Sequence, residues 1–221
     1  MRTRVKICCI SSVAEAQLAI ASGADALGFV AVQPPSPRTI SDTLIATIAA
    51  TVPPPVATFL LTARSTADAI ADHVAITHPT TVQIASYIAP SELARLAELL
   101  PATRRVQVIH VEGPEVLDLI PRYAPHVHAF LLDSGRPSAD VPEYGGTGQT
   151  HDWSVSAAFV RASPLPVFLA GGLRPDNVEE AIRLVKPFGV DLCSGVRTGG
   201  KLDADKLNTF MSAVRTADQN K

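Results

Sequence analysis

Residues 5–30 read VKICCISSVAEAQLAIASGADALGFV. Two short apolar runs, Val5–Ile10 and Ala26–Val30, flank a segment with helical spacing. Ser11 or Ser12 supplies an N-cap, the helix covers Val13–Ser22, and Gly23 stops it. The two runs do not alternate apolar with polar residues. Strands of that kind are buried on both faces, as parallel sheets require. The stretch therefore reads as one strand–helix–strand crossover.

The same unit recurs down the chain. A helix from Ser41 to about Thr51 precedes a strand at Val56–Leu61, and a helix near Ser65–His73 precedes one at Val82–Ala85. A helix at Ser91–Leu100 leads to a strand at Val106–Val111. Pro114–Tyr123 carries a short helix with Pro in its first turn, before a strand at Ala129–Leu132. Helices at Ser154–Ala162 and Asp176–Val185 precede and follow a strand at Val167–Ala170. Val190–Cys193 is the last strand, and a helix over about Ala204–Thr216 ends the series. Eight such units in 221 residues predict an α/β fold, a single-domain (β/α)8 TIM barrel over residues 1–221. An open, doubly wound parallel sheet is the alternative. No charge run, low-complexity block or linker divides the chain.

Composition narrows the function classes. The chain is 47% hydrophobic and 18% charged with a net charge of -2, which excludes disorder and gives no basic character to attract nucleic acid. Three cysteines are too few for a disulfide framework and lack zinc-type spacing. The start, Met1–Ile10, is too short in its apolar run for a signal peptide, and no apolar run reaches the roughly 18 residues of a membrane span. The expectation is a cytoplasmic protein with reduced thiols and no membrane partner.

A barrel of this type works at the C-terminal ends of its strands, so reactive side chains at strand exits are the candidates. Alternation puts Lys6 and Cys8 on one face, and Ile7 and Cys9 on the other. A cysteine by itself is most often a small buried hydrophobe. What points Cys8 toward chemistry is Lys6, since a neighbouring ammonium favours thiolate. Asp133 ends an apolar strand, where it either caps the next turn or serves as an acid facing a base across the mouth. Arg38, on the Pro-bounded loop after the second strand, suits a carboxylate, although a solvated surface Arg is the commoner case. Gly171 and Gly172 follow the seventh strand, and Ser194 and Gly195 the eighth. Backbone N–H groups at those two exits are where such barrels cradle phosphate. The loop Gly145-Gly146-Thr147-Gly148 lacks the Lys of a nucleotide-binding P-loop and reads as a lid or substrate-contacting loop. His126 and His128 precede the sixth strand, at the face that carries stability, and no metal site is expected.

Taken together these stretches resemble the phosphoribosylanthranilate isomerase family of tryptophan biosynthesis. The resemblance rests on Val5–Cys8, Gly23–Phe29 with Ser36–Arg38, Leu132–Ser134, Gly145–Trp153, Leu169–Leu173 with Pro175–Val178, and Gly189–Val196. It implies an Amadori rearrangement of N-(5-phosphoribosyl)anthranilate. Cys8 would be the general base at C2, and Asp133 the general acid that opens the ribose ring. Arg38 would hold the anthranilate carboxylate. Lys6, Gln83, Gly146, Gly171, Gly172, Ser194 and Gly195 would complete substrate binding, and no nicotinamide, flavin or metal is called for. A small phosphosugar would be the partner, to a monomer or homodimer. The chain departs from the family pattern where Cys9 replaces Gly, Ser11 replaces Thr, Ala85-Ser86 replaces His-Gly, and Arg197 replaces Glu. Two other readings remain: an acid–base isomerase of another phosphorylated aminosugar, and a non-catalytic phosphosugar-binding barrel.

Overall fold

Eight parallel strands hydrogen-bond in sequence order and close on themselves, the last pairing with the first. In this computed structural model the described residues are 2–31, 36, 38–135 and 150–220. The barrel strands are β1 (Arg4–Ile7), β2 (Ala26–Val30), β3 (Ala57–Thr62), β4 (Thr81–Ile84), β5 (Arg104–His110), β6 (Ala129–Asp133), β7 (Val167–Leu169) and β8 (Gly189–Leu192). The helices between and after them are α1 (Val13–Ala21), α2 (Asp42–Ala49), α3 (Ala67–Thr77), α4 (Pro90–Leu99), α5 (Leu119–Tyr123), α6 (Trp153–Ala162), α7 (Val178–Val185) and α8 (Ala204–Gln219). The closed barrel replaces the open-sheet alternative.

Local chemistry sets the element ends. Ser12, Ser41 and Thr66 cap α1, α2 and α3 by accepting N–H bonds from Glu15, Leu44 and Ala69. Pro90 stands in the first turn of α4, where its missing N–H costs nothing. The first strand is shorter than its apolar run. It stops at Ile7 because Cys9 has φ +62°, a left-handed conformation that cannot continue a strand. Alternation therefore says nothing about where Cys9 points.

Two apolar layers result. Ile7, Leu27, Leu60, Val82, Ile109, Phe130, Leu169 and Val190 face outward and meet the helices in one large core. Inside the barrel, Ala26, Phe59, Val106, Val108, Ala129, Leu131, Phe168 and Ala170 form a second core. The ladder registers, with the stagger usual for eight strands, stack the interior in layers. Lys6 lies level with Phe59, Val106 and Phe168. Gly28, Gln83, Leu131 and Asp191 form the next layer toward the mouth. Ala85, Asp133 and Cys193 stand at the mouth itself. The floor is thus apolar apart from Lys6, and Gln83 and Asp191 bring further polar groups into the layer above it.

Candidate active site

Lys6 is fully buried, and an ammonium inside a barrel needs a counter-charge. It has one: Nζ lies 2.8 Å from Asp191 Oδ2, on the neighbouring strand. The same Nζ sits 5.4 Å above the Phe59 ring centroid. Burial by itself would lower the Lys6 pKa, but Asp191 and the Cys8 sulfur outweigh it and hold the group charged. Asp191 is buried too, which raises its carboxyl against the opposing pull of Lys6. Its Oδ1 has no hydrogen-bond partner among the described residues.

Cys8 follows the end of β1 and donates its backbone N–H to the Leu192 carbonyl at 2.8 Å. The thiol lies over Gly28. A Cβ added at Gly28 would fall 2.8 Å from Cys8 Sγ and 2.9 Å from Lys6 Nζ. Glycine there makes room for both groups at once. Cys8 is part-exposed.

Asp133 ends β6 and stands in register with His110 of β5. Burial pushes its carboxyl up to about 6, opposed by the Ser134 N–H that it accepts at 2.7 Å, and reinforced by the charge of Asp191. Lys6 acts on both Asp133 and Cys8, so the ammonium links the candidate acid to the candidate base. One oxygen accepts the Ser134 N–H, and burial still holds the carboxyl at about 6.

The glycine loops meet. A Cβ on Gly195 would overlap the Leu173 carbonyl oxygen, so the exits of β7 and β8 are in backbone contact. Gly171 has φ +82° and packs against Ser134 and His151, leaving about 3 Å for any Cβ. Gly172 accepts from Asn177 Nδ2 through its carbonyl at 3.0 Å. Ser194 and Gly195 form a short 3-10 turn directly after β8. Burial pulls the His151 imidazole down to about 4, so it is neutral, with Nε2 2.7 Å from Ser156 Oγ.

Arg38 lines a cavity of about 340 Å³ with Cys9, Ser11, Thr39, Ile40, Arg197 and Gly200. Gln83 is buried in the layer beneath the mouth, and its Oε1 has no partner among the described residues. Gly146 lies outside the described residues, as does most of the loop around it. His128 accepts the Arg105 backbone N–H, at the strand-entry end as expected.

Sequence reasoning passed over Asp191; a second buried polar group of the barrel interior is His110. Asp191 is a carboxylate inside the apolar strand GVDL, and that mismatch is the signal that marks it. His110 faces the mouth with Nε2 2.9 Å from the Ala85 carbonyl. Burial lowers its pKa.

A closed barrel that gathers a carboxyl, a thiol and an ammonium at its strand exits is built as the enzyme barrels are. The family model described as N-(5'phosphoribosyl)anthranilate (PRA) isomerase matches residues 5–213. The N-(5'-phosphoribosyl)anthranilate isomerase of Haloarcula marismortui is 35% identical over 219 residues, which cover 98% of each chain. The phosphoribosyl anthranilate isomerase of Thermus thermophilus superposes with a TM-score of 0.82 at 27% identity, covering 97% of this chain and 99% of that one. A second solved isomerase, in complex with reduced 1-(o-carboxyphenylamino)-1-deoxyribulose 5-phosphate, gives 0.80 at 28% identity with the same coverage. The chain belongs to the N-(5'-phosphoribosyl)anthranilate isomerase family.

Proposed function

We propose that this chain isomerises N-(5'-phosphoribosyl)anthranilate to 1-(o-carboxyphenylamino)-1-deoxyribulose 5-phosphate, a step of tryptophan biosynthesis in the cytoplasm. The observation that carries the reading is Asp133. Its carboxyl titrates near 6 at a strand exit, and Lys6 couples it to the Cys8 thiol. An internal aldose–ketose shift needs an acid and a base acting in turn.

The steps follow from that pair. Asp133 gives its proton to the ribose ring oxygen as the C1–O bond breaks, leaving a Schiff base at C1. Cys8 then removes the proton from C2, and the electrons move to give the enolamine, which tautomerises to the ketone. Lys6 Nζ and Cys8 Sγ both border the place a Cβ would take at Gly28, which sets the charged group beside the thiol. The phosphate sits on the N–H groups around Gly171, Gly172, Ser194 and Gly195, which the contact between the two loops brings to one place. Arg38 takes the anthranilate carboxylate from its side of the mouth. Gln83 offers an unpartnered oxygen from below. The functional unit is a monomer or homodimer acting on this one small phosphosugar.

Turnover of purified protein with N-(5'-phosphoribosyl)anthranilate tests the proposal. Product formation, together with rescue of a tryptophan auxotroph, supports it. A folded sample that forms no product overturns it. Turnover only of a different phosphorylated aminosugar would place the same acid–base pair on another substrate.

A further inference from the structure

Arg197 directly follows the Ser194–Val196 turn after β8, and the structure shows where its positive charge goes. Its guanidinium is buried and grips Glu15 of α1 with both arms, Nη1 to Oε1 at 2.8 Å and Nη2 to Oε2 at 3.2 Å. The same Nη2 donates to the Cys9 carbonyl at 2.6 Å and reaches the Cys8 carbonyl at 3.4 Å. Nη1 also donates to the Gly200 carbonyl at 3.0 Å.

Glu15 completes the clasp from the other side. It accepts the Ser11 backbone N–H at 3.0 Å, the Ser11 hydroxyl at 3.1 Å and the Leu202 N–H at 2.8 Å. The turn Cys8–Ser11 is therefore held at its carbonyl end by Arg197 and at its amide end by Glu15. That turn contains Cys9 in the left-handed region, a conformation in which a side chain is strained. It also begins at Cys8, whose sulfur must fit over Gly28 beside Lys6 Nζ.

We infer that Arg197, paired with Glu15, is a positioning residue for the reaction: it fixes the backbone of the Cys8–Cys9 turn and so aims the Cys8 thiol at the substrate. The inference rests on the reading of Cys8 as the general base. Arg197 touches neither substrate nor reacting atoms in this role. It contributes through the carbonyls it holds, and a primary ammonium in its place would reach one of these partners but not all.

Steady-state kinetics of R197M, R197K, E15Q and the double variant E15Q/R197M test it, with C8A as reference and substrate deuterated at ribose C2. Methionine keeps the volume, and the double variant removes both buried charges so that a folded sample is obtained even if R197M alone unfolds. The expected result for R197M is a kcat about tenfold lower with KM within about twofold, and a larger deuterium isotope effect on kcat as proton removal becomes slower. R197K should restore part of the lost kcat. E15Q/R197M should be no slower than R197M, because the two side chains act as one unit.

Parental kcat and isotope effect in R197M and in the double variant would overturn the inference. So would a lower kcat with an unchanged isotope effect, which marks general destabilisation. If C8A itself retains parental kcat, the reading of Cys8 fails, and the inference with it. If C8A is inactive while R197M is unimpaired, only the inference fails.

Discussion

The Lys6 ammonium and the Asp191 carboxylate meet at 2.8 Å inside the barrel, both nearly without solvent exposure. Neither charge is stable there without the other. Lys6→Met or Asp191→Leu alone should destabilise the protein by about 3–5 kcal/mol, because each strands a buried charge. The double variant should recover most of that loss. Urea unfolding of the three variants measures both effects; a double variant whose loss equals the sum of the two single losses would show that the pair is not coupled.

Asp133 gives a prediction in pH. Its folded carboxyl titrates near 6, whereas an unfolded Asp titrates near 3.9. Between these values the native state keeps a proton that the unfolded chain has released. Stability from this group therefore falls as pH rises from about 4 to about 6, and stays lowered above. Asp133→Asn should be more stable than the parent at pH 8 by about 1–3 kcal/mol, with little gain at pH 3. The same variant should lose kcat by at least about 100-fold. Denaturation at both pH values, beside turnover, checks the opposite signs.

In the parent, kcat/KM should decline above about pH 6 as Asp133 loses its proton, and Asp133→Asn should lack that limb. A pH–rate profile unchanged by the substitution would remove Asp133 as the acid.

Gly28→Ala places a methyl group 2.8 Å from Cys8 Sγ, 2.9 Å from Lys6 Nζ and 3.1 Å from Cys8 Cα. The lysine end can bend, but the cysteine backbone cannot follow easily. The expected outcome is a folded protein whose kcat is about tenfold lower or worse, since a displaced base loses its alignment. A methyl group that leaves kcat intact would show that the thiol does not need this seat.

Cys9 allows a test of backbone strain with the side chain held out of the comparison. At φ +62° alanine pays for its Cβ and glycine does not. Cys9→Gly should therefore be more stable than Cys9→Ala by about 1 kcal/mol in urea unfolding.

The sequence was most informative where burial is repetitive. Apolar strands such as Phe130–Leu132 and Ser or Thr caps such as Ser12 carry their structure in a few adjacent residues, and the eight units were legible from them. Element ends were less so, because the end of β1 depends on the dihedral angle of Cys9, which alternation does not reveal. Among the candidate groups, Lys6, Cys8, Asp133 and the paired glycine loops were legible from their positions at strand exits. Asp191 was not singled out, because one carboxylate in an apolar strand becomes meaningful only beside its partner.

What the sequence determined by itself is the barrel and the family. Local propensity, burial on both strand faces and a repeated connection length leave few other folds. What only the tertiary structure decided is which distant groups share a charge environment. Lys6 and Asp191 are 185 residues apart, and Glu15 and Arg197 are 182 apart. Closure of β8 against β1 brings the members of each pair together. Buried electrostatics depends on distance through the fold rather than along the chain, so the pairing of these charges appears only once the barrel is closed.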